Sequence, residues 1–477
     1  MPILSEIFQH FLPETILANG VLLLLLIGAL RGDRGFSLVD EIAVGLLGLA
    51  ILSIVLSVKP DNSVFGGAFM DDGFSRFMKV LALVGAMASI LMSVDYLQRN
   101  DLEKYEFPIL VLLSTLGMML LISAENLIAL YLGLELMSLA LYVLAAFARD
   151  DGEASEAGLK YFVLGALSSG MMLYGSSLLY GFAGTVSFAG IAQAIGATPP
   201  IGVVFGLVFV LAGLAFKMSA APFHMWTPDV YQGAPTPVTA FFASAAKMAA
   251  AAVTARVVMT AFPDSIQQWR QIIVFLAIAS TLLGSFAAIG QTNIKRLMAY
   301  SSIGHMGFAL IGLAAGDESG IRGVAIYLAV YLVMTLGSFA AILSMRVNGR
   351  AVENITDLAG LSRTNGVMAF FLAMLMFSLA GIPPLAGFFA KYYVLLAAVN
   401  AGLYPLAVIG VLASAVAAFY YLRVVKIMYF DEPAPGFDPA PLALRAVLAT
   451  STLALLGFWL YPTPVMDAAT NAAKSLL

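Results

Sequence analysis

Cysteine is missing from all 477 residues. Disulfides, thiol chemistry and the thiolate ligands of iron–sulfur clusters are therefore excluded together. No G-x-G-x-x-G follows a strand-like run, so no dinucleotide-binding fold is visible. Charge is scarce as well, at 11% of residues, and no basic patch suited to nucleic acid occurs. If the chain serves a redox reaction, the electrons travel elsewhere. Apolar residues fill the space: they make up 61% of the chain, and the mean hydropathy is +0.95. A soluble domain of this length could not hide that much apolar surface, so the chain reads as a polytopic membrane protein. The first apolar run, from Leu12 to Leu30, opens on Pro13-Glu14. It lacks a basic leader and an A-x-A site, and is expected to be a retained helix rather than a signal peptide.

A spanning helix needs about 20 apolar residues, and this criterion predicts about fourteen spans. Their centres fall near Leu22, Leu49, Val84, Leu116, Leu136, Ser169, Ala212, Ala246, Ser280, Gly307, Val333, Ala380, Ala413 and Ala454. The loops are short and leave no room for a sizeable soluble domain. Loops after odd-numbered spans carry most of the basic residues, including Arg31, Arg34, Lys104, Arg149, Lys295, Arg346 and Arg363. Those after even-numbered spans, with the termini, carry Lys59, Arg76, Arg270, Arg322 and Lys474. The positive-inside bias predicts odd loops in the cytoplasm and both termini on the other side, the periplasm in a Gram-negative cell.

Two spans are too long and are interrupted by proline. One is Gly202–Tyr231, with Ala221-Pro222-Phe223; the other is Val367–Val399, with Gly381-Ile382-Pro383-Pro384. Proline removes a backbone donor and clashes with the preceding turn, so both helices should break there. They are about the seventh and twelfth spans. Five apart is an odd separation, so they enter the membrane from opposite sides, as in an inverted repeat with one discontinuous helix per unit. The expected architecture is all-α: helices 1–3 in residues 1–106, a first five-helix repeat in 107–262, a second, inverted one in 263–430, and a last helix in 431–477. One detail resists this pattern. Lys217 precedes its proline whereas Lys391 follows its own.

Ionisable groups deep in apolar runs cost a few kcal/mol or more, so they usually face a polar interior or a water path. Glu135, Lys217, Lys247 and Lys391 are such groups. Burial weakens a lysine's hold on its proton, and a lysine near neutrality can load and release one within a turnover. The duller readings are a structural ion pair for Lys217 and snorkelling to the headgroups for Lys247 and Lys391. Arg256 is the better snorkelling candidate, Glu125 reads as a solvated cap of the fifth span, and Asp229 as a helix cap. His224 could bridge Lys217 and Lys247 through water. His305 shares a helix face with Ser301 and Ser302 and could line a water wire toward the cytoplasm. Nothing else supports a haem held by these two histidines. The glycine-rich stretch Gly165–Gly175 reads as helix packing.

Three stretches carry a family resemblance: Ala215–Phe242, AFKMSAAPFHMWTPDVYQGAPTPVTAFF; Leu132–Tyr142, LGLELMSLALY; and Asn293–His305, NIKRLMAYSSIGH. They resemble the antiporter-like membrane subunits of proton-pumping NADH:quinone oxidoreductase (complex I). Lys247 and the Gly387–Tyr392 stretch GFFAKY, with Lys391, follow the N-type pattern; the M type has Glu at the position of Lys391, and the L type adds a long lateral helix. The motif around His224–Asp229 is shared with Mrp-type cation/proton antiporters and membrane-bound hydrogenases. The resemblance implies that Lys217, paired with Glu135, is the central switch and that Lys247, His224, His305 and Lys391 continue the relay. It implies no cofactor in this chain, with FMN, iron–sulfur clusters and quinone in or at other subunits. It also implies M-like and K-like neighbours in a bacterial inner membrane. A sodium/proton antiporter is the alternative function, although deep lysines repel sodium. A passive membrane anchor ranks last.

Overall fold

The structure, a computed structural model, describes residues 9–57 and 61–477, so Lys59 lies outside the described residues. The first elements are α1 (Leu12–Arg31) and α2 (Phe36–Val55), separated by a 3-10 turn at Gly32–Gly35. A small hairpin, β1 (Asn62–Val64) and β2 (Phe69–Asp71), leads into α3 (Gly73–Arg99), which Asp72 and Ser75 start with a reciprocal capping box. Then follow α4 (Glu106–Ser123), α5 (Leu127–Ala145), α6 (Gly152–Ala183), the short α7 (Phe188–Ile195), α8 (Ile201–Met218) and α9 (Thr227–Gly233). The helix α10 (Thr236–Ala261) contains π-helical turns at Phe242–Ala246 and Val257–Ala261. The second half comprises α11 (Ile266–Ile289), α12 (Ile294–Ala314), α13 (Glu318–Leu343), α14 (Gly366–Ala380), α15 (Ala386–Asn400) and α16 (Tyr404–Phe430). Two helices, α17 (Leu442–Leu460) and α18 (Thr463–Leu476), close the chain.

Among the described residues, twelve helical stretches are long and apolar enough to cross a membrane. The Leu12–Val55 stretch is one of them although the turn splits it, and α14 and α15 are apolar but shorter. This is compatible with the expected fourteen. Leucines such as Leu22, Leu26 and Leu30 on α1 are exposed, as a lipid-facing surface requires, whereas α10, α12 and α13 are buried almost throughout and form the centre of the bundle.

Both expected breaks are present. The first separates α8 from α9, and the second separates α14 from α15. Each first half ends on a left-handed residue, Ser219 (φ 61°) after α8 and Gly381 (φ 88°) after α14. At the second break the two half-helices meet closely. A Cβ on Gly387 would sit 1.9 Å from the Ser378 carbonyl oxygen.

Matching details recur in the two halves. Close backbone approach joins α4 to α5, where a Cβ on Gly117 would meet Met137 N at 2.3 Å, and α11 to α12, where one on Gly284 would meet Gly304 N at 2.5 Å. An asparagine caps the second helix of each pair: Asn126 accepts from Ala129 N, and Asn293 from Lys295 N and Arg296 N. Each asparagine also forms an antiparallel bridge to a later loop, Asn126 with Ser187 and Asn293 with Asn354.

Candidate functional site

Lys217 lies in the last turn of α8, 4% exposed. Its Nζ donates to the Tyr142 hydroxyl at 3.0 Å and sits 5.0, 5.5 and 5.8 Å from the rings of Tyr142, Phe216 and Tyr161. Ring faces carry negative potential, so this cage partly replaces the water that the ammonium gave up. Glu135 and Tyr142 are two turns apart on α5 and share a face. The expected direct pairing of Glu135 with Lys217 is not made: no contact within 4.0 Å joins them, and Lys217 turns to Tyr142. Glu135 is half-buried, and its shielded Oε1 has no hydrogen-bond partner in the chain.

Lys247 follows the first π-turn of α10 and is 1% exposed. It does not snorkel. Its Nζ donates to the Met218 carbonyl at 3.3 Å and stands 5.6 Å from the Tyr231 ring. Met218 ends α8, where the break frees carbonyls at the negative end of a half-helix dipole. Lys391, on α15, is placed in the same way. It donates to the carbonyls of Leu379 (3.0 Å) and Ala380 (2.9 Å), which end α14, and to Ser414 Oγ (2.9 Å) on α16. All three of its donors are used, so this lysine is not snorkelling either. Lys247 and Lys391 thus both meet carbonyls freed where a first half-helix ends at its break.

Between them runs a hydroxyl cluster. His305 Nδ1 is 2.6 Å from Tyr327 Oη, and its Nε2 is 3.1 Å from Tyr421 Oη. Ser301 is 2.5 Å from Tyr421 Oη and Ser302 2.8 Å from Tyr331 Oη. The serines and histidine share a helix face as expected, but tyrosines of α13 and α16 complete the network. Phe308 lies one turn beyond His305 on α12, and Lys391 Nζ is 5.0 Å from its ring. His224 is half-buried in the first break. Its Nδ1 is enclosed without a partner, and it bonds to neither Lys217 nor Lys247.

Three readings of the sequence need correction. Arg256 does not reach for headgroups. It is 1% exposed and donates to the Ile122 carbonyl (3.1 Å), Asp72 (2.9 Å) and Glu125 (3.4 Å), because helix packing brings three acceptors to it. Glu125 is accordingly not a solvated cap; Asn126 caps α5. Asp229 makes no capping bond and instead ties α6 to α12, accepting from Lys160 and Arg296 at 2.6 Å each. A buried ion pair also went unforeseen: Lys79 Nζ lies 2.7 Å from Glu14 Oε1, both under 4% exposed. A basic residue five positions before the predicted span centre at Val84 was the available signal.

The fold and this file of lysines, hydroxyls and helix ends define a class: an antiporter-type, multi-pass membrane subunit. The family model described as NADH:quinone oxidoreductase/Mrp antiporter, TM, matches residues 124–417. A curated relative from Beijerinckia indica subsp. indica, NADH-quinone oxidoreductase subunit N, is 68% identical over 99% of both chains. A chain of respiratory complex I from Thermus thermophilus superposes with a TM-score of 0.83 at 34% identity, over 95% of this chain and 98% of that one. A chain of the Mrp complex from Dietzia sp. shares the fold, with a TM-score of 0.87 at 22% identity over 97% of each chain. The chain belongs to the NADH-quinone oxidoreductase subunit N family, membrane subunits of complex I.

Proposed function

We propose that this subunit translocates protons across the inner membrane, driven by quinone reduction in partner subunits, along Glu135, Tyr142, Lys217, Lys247, the His305 cluster and Lys391. The placement of Lys247 and Lys391 carries the reading. An ammonium held by freed carbonyls at a helix break is a site whose affinity for a proton changes when the break shifts. Lys217, caged by aromatic rings and bonded to one hydroxyl, is the switch: its charge is sensitive to Glu135 through Tyr142. Electron carriers reside in other subunits, with M-like and K-like chains as the expected membrane neighbours.

The recurring asparagine bridges, glycine contacts and helix breaks support two inverted five-helix units, residues 107–262 and 263–430, flanked by 1–106 and 431–477. The basic odd-numbered loops support a cytoplasmic face there and periplasmic termini. A sodium/proton antiporter is disfavoured because each freed helix end, the natural cation ligand, already has an ammonium against it.

The test is Lys217→Ala in the assembled complex, reconstituted in vesicles. Inhibitor-sensitive NADH:quinone turnover and proton pumping should both fall, by about a hundredfold if a relay group has been removed. Pumping near the wild-type level would refute the assignment. Sodium-for-proton exchange by the isolated chain would move it to the antiporter reading.

A further inference from the structure

Loops after the first, third and fifth spans enclose a surface funnel of about 900 Å³ whose lining includes Asp101, Glu106, Asp150 and Asp151. Tyr96, in the last turn of α3, also lines it. Tyr96 lines a second, much smaller void as well, of about 10 Å³, which is room for about one water centre. Arg346 stacks over the Tyr96 ring, with its guanidinium carbon 5.6 Å from the centroid, and Glu353 also lines the small void.

Behind Glu353 lies Lys295. Its Nζ is 2.9 Å from Glu353 Oε1 and donates to the Ala234 carbonyl at 3.2 Å. Lys295 is 4% exposed and Glu353 29%, so the pair straddles the boundary between solvent and interior. Ala234 is the C-cap of α9, the second half of the first broken helix. The Thr239 hydroxyl bonds to the Tyr231 carbonyl at 3.0 Å, and the Tyr231 ring lies beside Lys247. The same hydroxyl lies 3.5 Å from the Ala234 carbonyl, so polar groups recur between the small void and Lys247. The loop is pinned in place: Ile294 N donates to the Glu353 carbonyl and Ile355 N to that of Thr292, both at 2.8 Å.

We propose that the Glu353–Lys295 pair is the proton-uptake mouth of this subunit, reached from the odd-loop face through the funnel and the gap beside Tyr96. A proton taken from water by the Glu353 carboxylate neutralises that partner. The ammonium of Lys295, left with the Ala234 carbonyl, then adds positive charge at the end of the broken helix. That charge favours proton departure from Lys247 to the His305 cluster; the proton on Glu353 then passes inward to refill Lys247, and the Glu353–Lys295 ion pair is restored. The assignment rests on the proton-translocating reading above.

Glu353→Gln keeps the shape and removes the charge. In the assembled complex in vesicles, turnover and pumping should fall about tenfold, as loss of a proton-transfer group does. Glu353→Asp should restore most of it. Formate, whose neutral acid delivers protons, should restore turnover in Glu353→Gln but not in Lys217→Ala. A merely structural pair would show no formate rescue. A second measurement is independent of Glu353. Ala351 is exposed and lines the small void. In inverted vesicles, labelling Ala351→Cys with a small charged thiol reagent should slow turnover, whereas labelling the neighbouring Arg350→Cys should not. The inference is overturned if Glu353→Gln turns over at the wild-type rate while Lys217→Ala does not, if formate has no effect, or if labelled Ala351→Cys is unimpaired. Wild-type activity in Lys217→Ala would instead overturn the parent reading.

Discussion

The hydroxyl of Tyr142 is the most economical place to perturb the proposed switch. Among the described residues it is the one hydrogen-bond acceptor that Lys217 finds, at 3.0 Å, in an otherwise aromatic cage. Tyr142→Phe removes a single oxygen and leaves the ring, and hence the packing against Tyr161 and Phe162, in place. A hydrogen bond to a charged group contributes about 1.5–3 kcal/mol, and each 1.4 kcal/mol is about tenfold, so protonated Lys217 should be disfavoured about ten- to hundredfold. NADH:quinone turnover and proton pumping in vesicles should fall together by a similar factor, while the amount of assembled complex stays constant. Gly165 supplies a second route to the same hydroxyl: a Cβ there would lie 2.0 Å from Tyr142 Oη. Gly165→Ala must displace the hydroxyl without touching Lys217, and should reproduce the Tyr142→Phe defect. Unchanged turnover in Tyr142→Phe would mean that the bond does not set the charge of Lys217, and the switch would have to be sought in Glu135 alone.

Two further outcomes are expected. Arg256→Leu strands the Asp72 carboxylate in the interior, which costs about 3–5 kcal/mol, so the amount of assembled complex should drop, as read on native gels. Lys391→Arg keeps a cation beside the carbonyls of Leu379 and Ala380 but cannot give up its proton, so the complex should assemble normally and fail to pump in vesicles.

Much of the architecture was legible because its causes are local. Apolar runs mark helices, Pro222 and Pro383 mark breaks, and a charge inside an apolar run marks a polar interior. What the sequence hid depends on packing between distant spans. Tyr142, Tyr327, Tyr331 and Tyr421 look like ordinary apolar-helix aromatics until their hydroxyls converge on Lys217 and on the His305 face. Arg256 looks like an interfacial anchor until Asp72 and Glu125 arrive from other segments. The same cause resolves the mismatch between the two breaks. Along the sequence Lys217 precedes its break and Lys391 follows its own, so the charges seem not to be copied. In space Lys247 is placed like Lys391: Lys247, on α10, bonds to the carbonyl that ends α8, and Lys391, on α15, bonds to the carbonyls that end α14. Lys217 bonds to a tyrosine rather than to a helix end, so its chemistry differs from theirs. A break that moves would reach all three lysines, since Lys217 itself lies in the last turn of α8. On the proposed relay, Lys217 answers to Glu135 through Tyr142 as well as to its break, and the other two lysines answer to the breaks.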